Sequence, residues 1–140
     1  MALVGIPGRS ANRMSERANS ETEAWPWPDS LDALAAAPAY HTKLLENEWV
    51  RVLHTLIPPG AVVPLHTHRC GGAAYLISWS DFIRRDQDGS VLLDSRTLGS
   101  YPTVPCAQWA DPLPPHTVEN VGRSVLSILI VELKSTRVGG

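Results

Sequence analysis

The feature that most constrains the fold is a change to period-two patterning from Tyr40 onward. Residues 49–57 are rich in β-branched and apolar side chains that alternate over much of their length, and Pro58-Pro59-Gly60 ends the run. Further segments with strand character cover residues 73–79, 81–85, 91–95, 116–120 and 124–134. Many short strands at close spacing, with almost no helix, predict an all-β antiparallel sandwich or barrel.

Turn signals separate several of these segments. Asp86-Gln87-Asp88-Gly89 lies between two strand candidates and is typical of a hairpin. Residues 120–123, Asn-Val-Gly-Arg, form a second predicted turn. The domain is therefore expected to cover residues 40–136.

The residues before the strands divide into two parts. Residues 1–24 are polar and aperiodic, which predicts a flexible tail. Residues 25–39 form an arm: Trp and Pro alternate over residues 25–28, which favours an extended segment lying against the domain or a partner subunit. Asp29-Ser30 would then cap a short helix over residues 31–37, ended by Pro38.

Composition excludes several classes of function. The 140-residue chain has a net charge of −2 with acids and bases interspersed, so it lacks the basic footprint of a nucleic-acid binder. No apolar run reaches the roughly 18–20 residues of a membrane helix, and no signal peptide is recognisable. Two cysteines do not make a disulfide framework. A cytoplasmic protein with no membrane or nucleic-acid partner is expected.

Three of the five histidines form a candidate metal site. His66 and His68 are two residues apart, so on a strand both imidazoles point to one face. His116 follows a proline-rich stretch much later in the chain, and a distant antiparallel strand would bring it to the same place. Neutral imidazole binds Zn, Fe, Ni, Cu or Mn.

These residues resemble the two motifs of the cupin superfamily. Gly60, five residues, His66 and His68 match the opening of the first motif, and His116, three residues and Asn120 match the end of the second. The resemblance covers about residues 40–134 and implies a small RmlC-like jelly-roll barrel of six to eight strands. It also implies a metal ion in the barrel mouth, held by His66, His68 and His116, and often a homodimer.

The chain departs from these motifs at an important place. The family's acidic ligand should fall four or five residues after His68, where the chain has Gly72 and Ala73. The Pro and Gly of the second motif fall at Asp111 and Leu113, and the glycine closing the first motif is replaced near Trp79-Ser80. Three of the four usual ligands remain.

Two interpretations of the missing carboxylate stay open. In the first, three histidines hold a divalent ion (Fe, Zn, Ni or Mn), and the uncompensated charge favours an anionic bidentate small-molecule substrate. In the second, the metal was lost together with the acid and the barrel binds an organic ligand. Cys70 is a weak substitute ligand because Gly71-Gly72 follow it, and Glu119 should face away from His116.

Further pocket candidates follow from strand parity. If the face of residues 50, 52, 54 and 56 lines the barrel, His54 is a candidate general base, and Tyr75 could place a hydroxyl in the pocket. Gln108 and Trp109 are candidates for the rim. One of Arg84 and Arg85 must face outward, and the other is a candidate carboxylate-binding group.

Three functions are compatible with this pattern. The first is a metal-dependent cupin enzyme of oxygenase, isomerase, cyclase or lyase type. The second is a non-catalytic module that binds or senses a small ligand and has a weak or vestigial metal site. The third is a mainly structural homodimer in which the segment of Trp25 and Trp27 crosses between subunits.

Overall fold

Short strands linked by tight turns make up most of the protein. The computed structural model describes residues 24–139. The strands are β1 (His41–Glu46), β2 (Val50–Ile57), β3 (Val62–His68), β4 (Gly72–Ser78), β5 (Phe82–Asp86), β6 (Val91–Asp94), β7 (Cys106–Ala110), β8 (Leu113–Asn120) and β9 (Leu126–Leu133). Single 3₁₀ turns occur at Asp29–Leu31, Ser95–Thr97 and Lys134–Thr136, and the helix α1 covers Ala33–Ala36.

The predicted hairpin at residues 86–89 is confirmed between β5 and β6. Gly89 has a φ of +86°, which a residue without Cβ adopts at little cost, and its N–H donates to the carbonyl of Asp86. The Asp86 carboxylate accepts hydrogen bonds from the N–H groups of Asp88 and Ser90, both at 2.9 Å. Local side-chain chemistry therefore sets this turn.

The strands form two facing antiparallel sheets. The first has the order β1-β2-β9-β4-β7 and the second has the order β3-β8-β5-β6. Each step from β2 to β9, β9 to β4 and β3 to β8 joins strands far apart in the sequence. This non-local pairing is the jelly-roll arrangement that the cupin resemblance implies, and it confirms the antiparallel architecture predicted from the strand pattern.

The apolar core lies between the sheets and follows strand parity. Alternate residues of β9 point inward, and the same holds for β2 and β4. The largest fully buried apolar side chains are Leu53, Ile57, Val63, Leu76, Phe82 and Leu126.

Most strand predictions match to within a few residues, and three strands, β1, β3 and β7, were not among the predicted segments, although a strand was assumed at His66 and His68. β1 has one buried residue, His41, and five exposed ones, so its sequence carries no alternation. β7 pairs with β4 but is short and follows a proline-rich stretch. Both are edge strands, which pair with a neighbour on one side only, so their sequences need not alternate strictly.

The arm, residues 25–39, lies against the domain. Trp25 and Trp27 are half-buried and pack edge to face with ring centroids 4.8 Å apart, and the Arg69 guanidinium lies 5.9 Å from the Trp25 ring. The predicted tail before residue 24 lies outside the described residues. Over the range 24–139, no helix has the length and apolar character needed to cross a membrane.

The helix is shorter than predicted and begins later. Asp29–Leu31 form a 3₁₀ turn, and the N-cap of α1 is Asp32, whose carboxylate accepts from the N–H of Leu34 at 3.1 Å. Asp32 also forms a parallel bridge with Thr67 of β3. This contact places the arm over the end of the barrel where the histidines lie.

Candidate metal centre

The structure brings His66, His68 and His116 together inside the barrel. His66 of β3 lies directly opposite His116 of β8, and their ring centroids are 4.2 Å apart. The His68 ring is 5.1 Å from that of His66 and 5.7 Å from that of His116. Strand parity and the β3–β8 pairing therefore explain the cluster.

A fourth histidine joins this cluster. His41, the first residue of β1, pairs with Thr55 of β2, and its ring centroid lies 4.8 Å from His66 and 5.5 Å from His68. The potential ligand atoms of His41, His66 and His68 all lie within 4.8 Å of one another. His41 lies outside both histidine motifs, so the motifs did not predict it.

Each of the four rings donates its Nδ1–H to an oxygen atom. The acceptors for His41, His66 and His116 are the backbone carbonyls of residues 37, 64 and 114, at 3.0, 2.8 and 2.7 Å. His68 donates to a carboxylate oxygen of Glu132 at 3.1 Å. Carbonyl and carboxylate oxygens only accept, so a neutral ring keeps its free lone pair on Nε2, the nitrogen available to a metal.

Burial keeps the imidazoles of His41, His66 and His116 neutral. It lowers the pKa of His41 to about 4 and that of His66 to about 2, with a smaller contribution in the same direction from His68. Burial also holds the pKa of His116 well below 6.5. Neutral imidazole is the form that binds metal ions.

The spacing of the rings fits a shared ion. With metal–nitrogen distances of about 2.0–2.1 Å, two imidazoles on one ion have centroids about 4.5–5.2 Å apart for ligand angles between square and tetrahedral. The separations of His41 from His66 (4.8 Å) and of His66 from His68 (5.1 Å) fall within this range, and the other three, at 4.2, 5.5 and 5.7 Å, lie within about 0.5 Å of it. The donor set is all nitrogen, which suits Zn, Fe, Ni or Cu better than Ca or Mg.

A chain of charged groups contacts His68 at Nδ1, the ring nitrogen that faces away from the proposed ion. Glu132 of β9 accepts from Nε of Arg51 at 2.8 Å through its other carboxylate oxygen. Arg51 in turn donates from both terminal nitrogens to the Asp32 carboxylate, at 2.9 and 2.8 Å. Burial raises the pKa of Glu132, but His68 and Arg51 outweigh it and lower the pKa, so Glu132 is ionised at neutral pH.

The histidines line a small cavity of about 50 Å³. Its wall is mostly apolar, with contributions from Phe82, Leu126, Ile128 and Ile130. Thr55 also lines it, and its buried hydroxyl has no hydrogen-bond partner among residues 24–139. A buried polar atom in this state indicates that a water or ligand atom completes the site.

Arg84 supplies a buried positive charge to the same wall. It faces inward from β5, and burial lowers the pKa of its guanidinium to about 10, so it remains charged at neutral pH. Arg85 faces outward and pairs with Glu119 at 2.8 Å. Of the two arginines, Arg84 is therefore the one that belongs to the cavity.

His54 and Tyr75 do not belong to the cavity. The opposite face of β2 points inward, so His54 lies on the outer face of its sheet and its Nε2 is 2.8 Å from the Ser127 hydroxyl. Tyr75 lies on the outer face of β4 with 44% of its surface exposed. His54 was a candidate base only if the face of residues 50, 52, 54 and 56 lined the barrel. The structure shows the opposite, because Leu53 and Ile57 pack in the interior.

The remaining candidates have identifiable positions. Cys70 is half-buried beside the cavity, and burial raises the pKa of its thiol, which disfavours the thiolate a metal needs. Glu119 faces away from His116, as parity predicts. Trp109 donates from its indole nitrogen to the Asp111 carboxylate at 3.1 Å, and Asp111 lines the cavity.

Comparisons with known proteins identify the fold. The structure resembles that of a cupin domain from Bordetella pertussis, with a TM-score of 0.54 and 20% identity over 67% of this chain and 91% of the other. Such a likeness establishes a shared architecture: this chain has the cupin fold, a double-stranded β-helix.

Two further likenesses have lower scores. They are an RmlC-like cupin from Methanocaldococcus jannaschii (TM-score 0.48, 16% identity, 66% of this chain and 77% of the other) and the polyketide cyclase RemF from Streptomyces resistomycificus (TM-score 0.44, 16% identity, 66% and 63%). No family model matches the sequence, and no curated protein matches it. The function therefore has to be argued from the site.

Proposed function

We propose that this protein binds one divalent metal ion through Nε2 of His66, His68 and His116, with His41 as a fourth ligand. The observation that carries the proposal is the common orientation of the four rings, each tied by Nδ1 to an oxygen atom. Packing alone does not require four histidines to use the same ring nitrogen for their hydrogen bonds and to leave Nε2 free. Zn, Fe, Ni or Cu are the candidates that the all-nitrogen donor set favours.

We further propose that the ion serves the chemistry of a small molecule, as in a metal-dependent enzyme of oxygenase, isomerase, cyclase or lyase type. A divalent ion in this position would act as a Lewis acid toward an oxygen atom of the bound molecule. The chain itself supplies the apolar wall, the hydroxyl of Thr55 and the charge of Arg84. These groups exclude bulk water and orient the ligand.

An anionic ligand suits this cavity. The imidazole ligands carry no negative charge, and Arg84 adds a positive charge to the wall. The Glu132 carboxylate, by contrast, is already engaged by Arg51 and His68, and the Asp111 carboxylate by Trp109. A volume of about 50 Å³ accommodates only a few non-hydrogen atoms, since one water needs about 10–15 Å³ on the same measure. We therefore propose a small anion, or the anionic end of a larger molecule, as the ligand.

Metal content of matched histidine variants tests the proposal. The protein and its His66→Gln, His116→Gln and His54→Gln variants are stripped of metal, loaded with Zn²⁺, dialysed and analysed by mass spectrometry. We expect about one ion per chain in the parent and in His54→Gln, whose ring lies outside the barrel. Each of the other two variants loses one proposed ligand and should retain substantially less metal than the parent. Equal stoichiometry in all four proteins would contradict the proposal.

A non-catalytic ligand-binding or sensing module is the second candidate. The small, mostly apolar and largely buried cavity favours it, because holding a ligand needs no acid or base. Thermal-shift screening of small carboxylates and oxyanions with the metal-loaded protein, followed by product analysis of each hit, separates the two functions. A ligand that stabilises the protein and is recovered unchanged supports the module. A ligand that is converted supports the enzyme.

A homodimer also remains a proposal. The outer face of the five-stranded sheet exposes Leu56, Tyr75 and Ile77, each with 44–45% of its surface accessible. Sedimentation equilibrium measures the mass directly, and the mass of a single chain at micromolar concentration would contradict the dimer.

A further inference from the structure

The backbone explains why the first motif lacks its acidic residue. A Cβ at position 72 would overlap the carbonyl oxygen of Val131 on the neighbouring strand β9, so no side chain fits there. Ala73 is exposed on the outer face of β4, and an acid at that position would point away from the histidines. Neither position after His68 where the carboxylate was expected can deliver one to the cavity.

A carboxylate reaches the site from the adjacent strand instead. Glu132 of β9 lies directly opposite Gly72 in the antiparallel β4–β9 pair. Residues opposite each other in such a pair point to the same face, here the interior. Because Gly72 has no side chain, the Glu132 side chain can occupy the interior space next to Gly72. The Glu132 side chain is 3% exposed.

Both oxygens of this carboxylate are engaged. Oε2 accepts from Nδ1 of His68 at 3.1 Å, and Oε1 accepts from Nε of Arg51 at 2.8 Å. Arg51 is itself held in two places by the Asp32 carboxylate. Glu132 is therefore fixed in orientation, and its contact with the histidine cluster is through His68.

We propose that Glu132 replaces the missing motif carboxylate from one strand away, as a positioning residue that acts through His68, with Arg51 fixing its orientation. This inference rests on the proposed metal site. A carboxylate on the far nitrogen of a ligating imidazole fixes the ring and its tautomer and makes the other nitrogen a stronger ligand. It also supplies one negative charge next to an otherwise neutral ligand set.

Replacement of Glu132 by glutamine tests the inference. Glu132→Gln keeps the shape and one acceptor oxygen but removes the charge, and Glu46→Gln is the matched control because Glu46 forms exposed ion pairs with Lys43 and Lys134. Co²⁺ is titrated into the metal-free proteins against a chromophoric chelator, and the visible spectrum of bound Co²⁺ is recorded. We expect a 10- to 100-fold weaker affinity and a changed spectrum for Glu132→Gln. Glu46→Gln should match the parent.

Conservative variants separate positioning from folding. Glu132→Asp should recover part of the affinity, and Arg51→Met, which leaves the Glu132–His68 contact in place, should lose less affinity than Glu132→Gln. A merely structural role would lower the unfolding temperature of Glu132→Gln but leave its Co²⁺ affinity and spectrum unchanged, and that result would overturn the inference. Should Glu132→Gln fail to fold, ¹⁵N NMR of the parent decides: the expected result is a proton on Nδ1 of His68, and a proton on Nε2 would overturn the inference.

The two proposals fail in different ways. If the parent protein takes up no Co²⁺, the metal site itself is absent and the proposed function fails. If the parent and Glu132→Gln bind Co²⁺ equally well while His66→Gln does not, the metal site stands and only the role of Glu132 is overturned.

Discussion

At the scale of single residues, hydrogen bonds to Nδ1 decide what each buried imidazole offers to the cavity. His41 donates to the carbonyl of Ala37, at the end of α1, so the arm and the histidine cluster are joined through one ring. Because His41 begins β1 and lies opposite Thr55, its side chain also adjoins the Thr55 hydroxyl, which lacks a partner in the described part of the chain. His41 therefore contacts the arm, the cavity and the proposed ion.

We expect His41→Gln to weaken metal binding without abolishing it. Three imidazoles remain in the variant, a number that is sufficient for many catalytic sites. The expected result is a Co²⁺ affinity lowered by about tenfold or more, since one metal–nitrogen bond is lost. Competition titration measures it, with His54→Gln as the control on the outer face. An affinity equal to that of the parent would show that His41 only closes the cavity.

At the scale of elements, the arm and the barrel are held together at Asp32. Its carboxylate caps α1 at Leu34 and receives two hydrogen bonds from Arg51, and its backbone bridges Thr67. Ala33 and Ala37 are buried under this contact. The arm thus lies over the end of the barrel at which the cupin resemblance implies a metal ion.

We expect Asp32→Ala to destabilise the protein by about 2–4 kcal/mol. Loss of an N-cap costs about 1 kcal/mol, and the partly buried Arg51 loses two charge-assisted hydrogen bonds that are worth about 1.5–3 kcal/mol. Urea unfolding monitored by tryptophan fluorescence measures the change. Asp29→Ala is the control, because the Asp29 side chain is 87% exposed and its nearest ion-pair distance is 3.6 Å. Equal effects of the two substitutions would show that Asp32 does not anchor the arm.

At the scale of the whole molecule, enclosing several histidines makes stability depend on pH. In the metal-free protein the pKa of His41 is about 4 and that of His66 about 2, whereas an unfolded chain has histidines near 6.5. Below pH 6.5 the unfolded state takes up protons that the folded state does not, so stability falls with falling pH. The loss begins near pH 6.5 and continues toward pH 4 for His41 and further for His66.

We expect the free energy of unfolding of the metal-free protein to decrease by up to about 2 kcal/mol per buried histidine between pH 6.5 and 5. Urea titrations at half-unit pH intervals, in chelator-containing buffer, measure the effect. The same titrations at pH 7–8 provide the baseline, since neither state of these rings takes up protons there. A flat profile from pH 7 to 5 would mean that the rings protonate in the folded protein.

Local patterns account for much of what could be predicted. The strand alternation, the Asp86–Gly89 turn and the i, i+2 spacing of His66 and His68 each depend on neighbours in the sequence, and each is present in the structure. The face of β2 was harder to predict, because both of its faces carry apolar residues and only packing between the sheets places Leu53 and Ile57 inside. Glu132 could have been noticed from the sequence, because it is the one acid on the strand face that also carries Leu126, Ile128 and Ile130.

The amino-acid sequence by itself determined an all-β chain with a pair of imidazoles on one strand face and a third on a later strand, since strand periodicity acts over two residues. Only the tertiary structure decided that His41 and Glu132 adjoin that group and that the arm covers it. These contacts arise from the pairing of β1 with β2 and of β9 with β4, and from the docking of Asp32 on Arg51. Pairing between distant strands is governed by the packing of the whole sheet, so no local pattern encodes it.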